Sequence, residues 1–180
     1  MRGMQTTCRH SLLLKEFRKF MRKEHDMRKV AYFLCRLLHG PLYKFECWVA
    51  LWDKRRNEVA WAASPRAACS RKIEKTLQKG ITPLCAQNAM ESDTGRVFLP
   101  GACCRRCGFL SFFKSDTDGM VLVLRAGELV FGMFAVSGRS SVTNMTSILT
   151  FLDDLAGIVS FELLRMEGSI QMEKSQPHEH

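Results

Sequence analysis

No stretch of this chain is long and apolar enough to cross a bilayer. The longest apolar run, Met120 to Val136, is interrupted by Arg125 and Glu128 and falls short of the about 20 residues that a spanning helix needs. No secretory leader is expected either. Leu12-Leu13-Leu14 runs at once into Lys15-Glu16, so no apolar leader core forms and the protein is expected in the cytoplasm, without a membrane partner. Internal repeats, low-complexity tracts, a kinase motif, an ATP-binding glycine loop and a recognition-helix signature are all absent, which removes solenoids, kinases and helix-turn-helix proteins from consideration.

Histidine chemistry is equally thin. His10, His25 and His39 lie on or beside a basic helix, and His178 and His180 lie in the tail. None is placed to activate a cysteine or serine. Ser140-Ser141 precedes a helix and reads as its cap. Asp153-Asp154 are adjacent on a helix and point about 100° apart, a poor geometry for paired acid–base work. The chain is therefore expected to be a binding or sensing domain and not an enzyme.

What is present supports one folded unit. With 180 residues and 46% hydrophobic content, the chain can bury a core, and a 25% charged share excludes wholesale disorder. The net charge of +9 is unevenly placed: residues 1–36 carry ten Lys/Arg against three Asp/Glu, residues 37–79 nine against four, and residues 80–180 eight against eleven. A basic N-terminus can signal a nucleic-acid or acidic-membrane surface. Here its charges alternate with core-type residues and no aromatic or Gly-rich nucleic-acid motif accompanies them, so a solvated helix face is the expectation and nucleic acid is not a partner.

Leu13, Phe17, Phe20, Met27, Val30, Leu34 and Leu37 recur at helical steps up to Gly40-Pro41. Asp26 is placed to cap a second segment. Residues 1–26 then form a basic amphipathic linker helix ahead of a domain over 27–167, with 168–180 as a disordered tail. Phe45–Trp52 reads as a strand, and Asp53–Asn57 turns it back into Glu58–Ala63. Ser64-Pro65 and Thr82-Pro83 start helices that run to Gly80 and to about Glu91. Arg96–Leu99 is a short strand, Gly101–Gly108 a cysteine-rich loop, and Met120–Leu124 with Leu129–Val136 a hairpin. Met145, Ile148, Leu152, Leu155, Val159, Leu163 and Met166 define a long closing helix. The order predicts an α+β fold, a central antiparallel sheet with helices packed on it. Leu13, Phe17 and Phe20 lie before the domain start with no sheet left to cover, so the terminal helices are expected to make a homodimer.

The eight cysteines read as thiols or metal ligands in a reducing compartment. Cys104-Arg105-Arg106-Cys107 lets two thiolates grip one metal from a single turn, and both arginines favour thiolates. With Cys69 and Cys85 they make the best four-ligand set, suited to zinc or an iron–sulfur cluster. Cys103 is the other candidate for the fourth place. Cys69 also stands four residues before Ile73 and eight before Leu77, a spacing of core packing. Cys35 and Cys47 fall on apolar faces and read as buried filler.

Three segments resemble a GAF domain, the sensory module of bacterial signalling proteins. They are Cys47–Asp53 as a first sheet strand, Leu129–Ser137 as a late strand with a "G-x-L-x-V"-like pattern, and Leu152–Leu163 as the closing helix. Pro83-Leu84-Cys85 and Cys104-Arg105-Arg106-Cys107 are similar to the "P-x-C" and "C-x-x-C-P" of GAF modules that accompany PAS domains in sensor kinases. Gly108 replaces the proline, and Ser140–Thr143 lacks an acidic residue usual before the last helix. The resemblance implies a GAF-like sheet with terminal helices on one face and a small-molecule pocket on the other. It also implies convergence of Cys85, Cys104 and Cys107 on the pocket side, and transfer of the sensed state to flanking dimer helices. No Cys-His dipeptide of tetrapyrrole-attaching relatives occurs, nor the Asn-Lys-x-x-x-Phe-Asp-Glu of cyclic-nucleotide binders. Two alternatives stand beside this reading. One is a thiol-dependent reductase of free methionine sulfoxide, whose cysteine surroundings are missing here. The other is a structural dimerisation module with no ligand.

Overall fold

The computed structural model describes residues 2–40, 45–53, 56, 58–64, 79, 84–99, 118–137 and 145–175, with the side chains of 2–9, 61–64, 99, 145 and 169–175 outside the description. Chain order is α1 (Arg2–Met21), α2 (Met27–Leu38), β1 (Glu46–Asp53), β2 (Glu58–Ser64), α3 (Leu84–Glu91), β3 (Arg96–Leu99), β4 (Gly119–Ala126), β5 (Leu129–Ser137) and α4 (Met145–Ser175). The expected helix over 65–80, apart from Lys79 in a turn, the cysteine-rich loop 101–108 and Ser140–Thr143 lie outside the described residues.

The break between α1 and α2 is built by two short acidic side chains. Glu24 Oε1 accepts from the backbone N–H groups of His25 and Asp26, at 3.1 and 3.0 Å. Asp26 then caps α2, its Oδ1 accepting from Arg28 N at 2.8 Å. Capping satisfies an N–H that the first helical turn leaves open. α2 buries Val30, Ala31, Leu34, Cys35 and Leu38 on one face, the stripe its sequence period predicts.

Five strands form one antiparallel sheet in the order β2-β1-β5-β4-β3. β1 and β5, distant in sequence, are its central pair, registered from Glu46 opposite Ser137 to Leu51 opposite Gly132. Strand alternation splits the sheet into two faces. Cys47, Val49, Leu51, Leu122, Leu124, Phe134 and Val136 join the core under α1, α2 and α4. Trp48, Ala50, Val121, Val123, Met133 and Ala135 point to the other face and form one cluster with Ala86 and Ala89 of α3, which lies against β3 and β4.

Between Leu124 and Arg125 the β4–β5 register shifts: Leu124 faces Gly132, but Arg125 faces Val130. Phe131 is the extra residue of a β-bulge, and the bulge turns its ring to the helix-covered face while Val130 stays on the other.

α1 folds back onto its own domain. Phe17 and Met21 are fully buried in the helix-side core, and Phe20 stacks on Phe33 of α2 with ring centroids 4.1 Å apart. His10 meets Phe151, and Arg18 and Arg22 reach Glu162, so the contacts advance together and α1 runs parallel to α4. The burial of Phe17 inside one chain removes the argument that drew a homodimer from α1. The α+β arrangement expected from the sequence, a central antiparallel sheet with helices packed on it, is the one found among the described residues, with α4 running on to Ser175 into the segment read as tail.

Candidate functional site

The α3-covered face of the sheet is the candidate site. Trp48 on β1 is fully buried there. Trp52, further along β1, is partly buried against the same cluster, as are Cys85 and Met90 of α3, Val97 of β3 and Val130 of β5 at other points of its edge. The sequence produces this because Trp48, Ala50 and Trp52 alternate with Cys47, Val49 and Leu51, sending indoles to one face and aliphatic groups to the other. The small residues Ala86 and Ala89 let α3 lie close to β3 and β4.

Cys85 is half-buried at the second position of α3 and packs against this aromatic cluster. Its proposed partners Cys69, Cys104 and Cys107, and Cys103 with them, lie outside the described residues. Among the described residues no three His, Cys, Asp or Glu side chains gather as a metal site.

Cys35 and Cys47, read from the sequence as packing, and Glu162, which that reading did not single out, have another character. Cys35 on α2 and Cys47 on β1 are buried as expected, yet they touch each other, Sγ to Sγ at 3.5 Å. Glu162 of α4 is completely buried. Arg165 Nε donates to its Oε2 at 2.8 Å, and Arg18 and Arg22 of α1 approach its Oε1 at 3.7 Å each. A signal for Glu162 was present: it stands three residues after Val159 and four before Met166, on the apolar stripe.

Three titratable groups at the N-terminal helices are shifted. Burial holds the His10 imidazole below its ordinary value, with Asp154 opposing. The Asp26 carboxyl is lowered chiefly by the Arg28 N–H it accepts from. The Glu24 carboxyl is lowered chiefly by the Asp26 N–H.

Among the described residues the fold is GAF-like: a five-stranded antiparallel sheet, terminal helices on one face and a short helix on the other. The fold matches the GAF domain of A. aeolicus nlh2 in an inactive state at a TM-score of 0.53 and 11% identity, covering 89% of this chain and 99% of that one. It also matches the GAF domain of an Acinetobacter phosphoenolpyruvate-protein phosphotransferase at 0.50 and 11% identity, over 89% and 95% of the two chains. No protein-family model and no curated protein sequence matches the chain. No helix among the described residues is long and apolar enough to cross a membrane.

Proposed function

We propose that this chain is a regulatory sensory GAF-type domain of cytoplasmic bacterial signalling, without catalytic activity of its own. It takes a small ligand, or a metal or redox state, on the α3-covered face and passes that state to the terminal helices. The observation that carries this reading is the two-faced β1–β5 pair. Trp48 and Ala50 line the candidate site, while Cys47, Val49 and Leu51, their immediate neighbours in the same strand, pack under α1, α2 and α4. A strand cannot shift on one face without moving the other.

Cys69, Cys85, Cys104 and Cys107 are the proposed metal or redox set, with zinc or an iron–sulfur cluster as the occupant. This is supported by Cys85, which packs at the edge of the apolar cluster that also holds Trp48 and so brings one thiol of the set to the candidate-site face; an iron–sulfur cluster there would lower tryptophan emission. Protein purified without oxygen should carry about one equivalent of zinc, or iron with visible absorption, and Cys85→Ala should lose it. Metal-free protein with no visible band, whose tryptophan emission responds to no thiol oxidant, would remove the cysteine reading.

The partner is a second copy of the chain. On the outer side of α4, Phe161 and Leu164 are exposed. Gly157 and Gly168 flank them with nothing within 4 Å of where a Cβ would stand. The four-three-four spacing of these residues is that of a two-helix seam. The basic surface of α1 is partly neutralised within the chain by Glu162, which supports a solvated helix over a nucleic-acid surface. Turnover of free methionine sulfoxide with a thiol reductant would replace the sensory reading by the reductase one.

A further inference from the structure

We propose that Cys35 and Cys47 form a second thiol site, oxidised by hydrogen peroxide to a disulfide that ties α2 to β1. The two sulfurs are in contact at 3.5 Å, and Cys47 Sγ also lies 3.5 Å from the Cys35 carbonyl oxygen. Both thiols ride on fixed elements. α2 is capped at Asp26, and at its other end the His39 N–H returns to Cys35 O at 2.9 Å. Cys47 sits between two neighbouring strands, registered with Ser64 on one side and Val136 on the other. Neither residue can drift away, and side-chain rotation closes the remaining gap to the about 2.05 Å of a disulfide.

The chemistry balances with one peroxide. One thiol of the pair, taken as Cys35 Sγ, attacks as thiolate on a peroxide oxygen; both residues are buried. The O–O bond breaks, an S–O bond forms, and water leaves a sulfenic acid on Cys35. Cys47 Sγ then attacks that sulfur; the S–O bond breaks and a second water departs with the Cys47 proton. Two thiols have lost two electrons and two protons to one peroxide. Coverage of both sulfurs selects a small oxidant over a bulky disulfide such as oxidised glutathione, and reaction waits on local opening of the pair.

The disulfide fastens more than α2. Phe33 on α2 stacks on Phe20 of α1, so the cross-link anchors both N-terminal helices to the central strand. This site lies on the opposite sheet face from Cys85 and stands whether or not that thiol binds metal.

The test uses the full, reduced chain. After hydrogen peroxide treatment, free thiols are blocked and the protein is digested with trypsin without reductant. The expected product is the peptide Val30–Arg36 linked to Phe45–Lys54, released by dithiothreitol, with a thermal midpoint raised by about 5–10 °C. Oxidised glutathione should give the same product at least tenfold more slowly. Cys35→Ala should abolish link and shift together, while Cys85→Ala should keep both. If Cys35→Ala fails to fold, the peptide pair from the natural chain decides alone. Oxidation that links other cysteines while Cys35 and Cys47 remain free or carry only sulfinic acid would overturn the proposal.

Discussion

Gly132 on β5 presses so closely on the backbone carbonyl of Ala50 on β1 that no side chain fits between them. A Cβ at Gly132 would also lie 2.9 Å from Leu51 Cα, and its φ of +154° is one that other residues rarely adopt. The close approach occurs at the bulge that admits Phe131 to the helix-side core. Gly132→Ala must therefore push apart the two central strands, and it is expected to destabilise the fold by about 2–4 kcal/mol. Gly127 in the hairpin turn has φ of +57° but open space around it, so Gly127→Ala should cost only about 1–2 kcal/mol. Urea midpoints of the two variants decide; equal losses would mean that crowding at Ala50 contributes nothing.

A second relationship, Arg165 with Glu162 within α4, orients the carboxylate that Arg18 and Arg22 of α1 approach. Glu162 is buried while Arg18, Arg22 and Arg165 keep 46%, 64% and 40% of their side chains in water. The arginines can turn outward if the acid is lost, but the acid cannot reach solvent. Arg165→Ala removes the one short hydrogen bond and should cost about 1.5–3 kcal/mol. Glu162→Leu should cost less, because the buried charge goes with its partner's role. Arg165→Ala with an unchanged denaturation midpoint would show that the 3.7 Å approaches of Arg18 and Arg22 suffice.

Much of this was legible in the chain. The α4 stripe from Ile148 to Met166 is buried as its period predicts, Asp26 caps α2, and Arg96–Leu99 is a strand over that span. These are local signals, fixed by spacing and by one capping side chain. What escaped depends on chain segments meeting across long separations. Phe17 reads as unpartnered until α1 returns to α4, and Cys35 and Cys47 read as isolated until α2 lies on β1. The bulge escaped because it is defined by pairing with β4, although Gly132 within a strand was its local trace. Glu162 escaped because a carboxylate outranked the stripe position it occupies.

His10 makes α1 docking sensitive to mild acid. Burial against Phe151 of α4 keeps the imidazole neutral, and the Asp154 charge opposes this only in part. The folded-state pKa thus lies below the unfolded value of about 6.5. Between the two values the unfolded chain binds more protons, so stability is full above about pH 6.5 and falls as the pH drops through the folded-state value. The thermal midpoint should decrease from pH 8 to pH 5.5, and His10→Phe should flatten that slope. A midpoint that rises on acidification would mean that Asp154 outweighs burial.

The last prediction concerns the outer face of α4. Phe161 is 58% exposed and Leu164 38%, on a side of the helix that neither core cluster of the described residues uses. Neither serves the core, since Val159, Leu163 and Met166 already fill it. Large apolar groups at coiled-coil spacing, bracketed by Gly157 and Gly168, suit a symmetric seam in which each Phe161 ring lies over a glycine of the partner helix. Phe161→Glu would place two carboxylates across that seam at no cost to the monomer's core. Sedimentation should show the natural chain as a dimer at micromolar concentration, and the variant as a folded monomer with an unchanged thermal midpoint at low concentration. Deleting residues 1–25 should instead lower that midpoint, because α1 packs on its own α4. A natural chain that stays monomeric well above micromolar concentration would rule out α4 as the dimer helix.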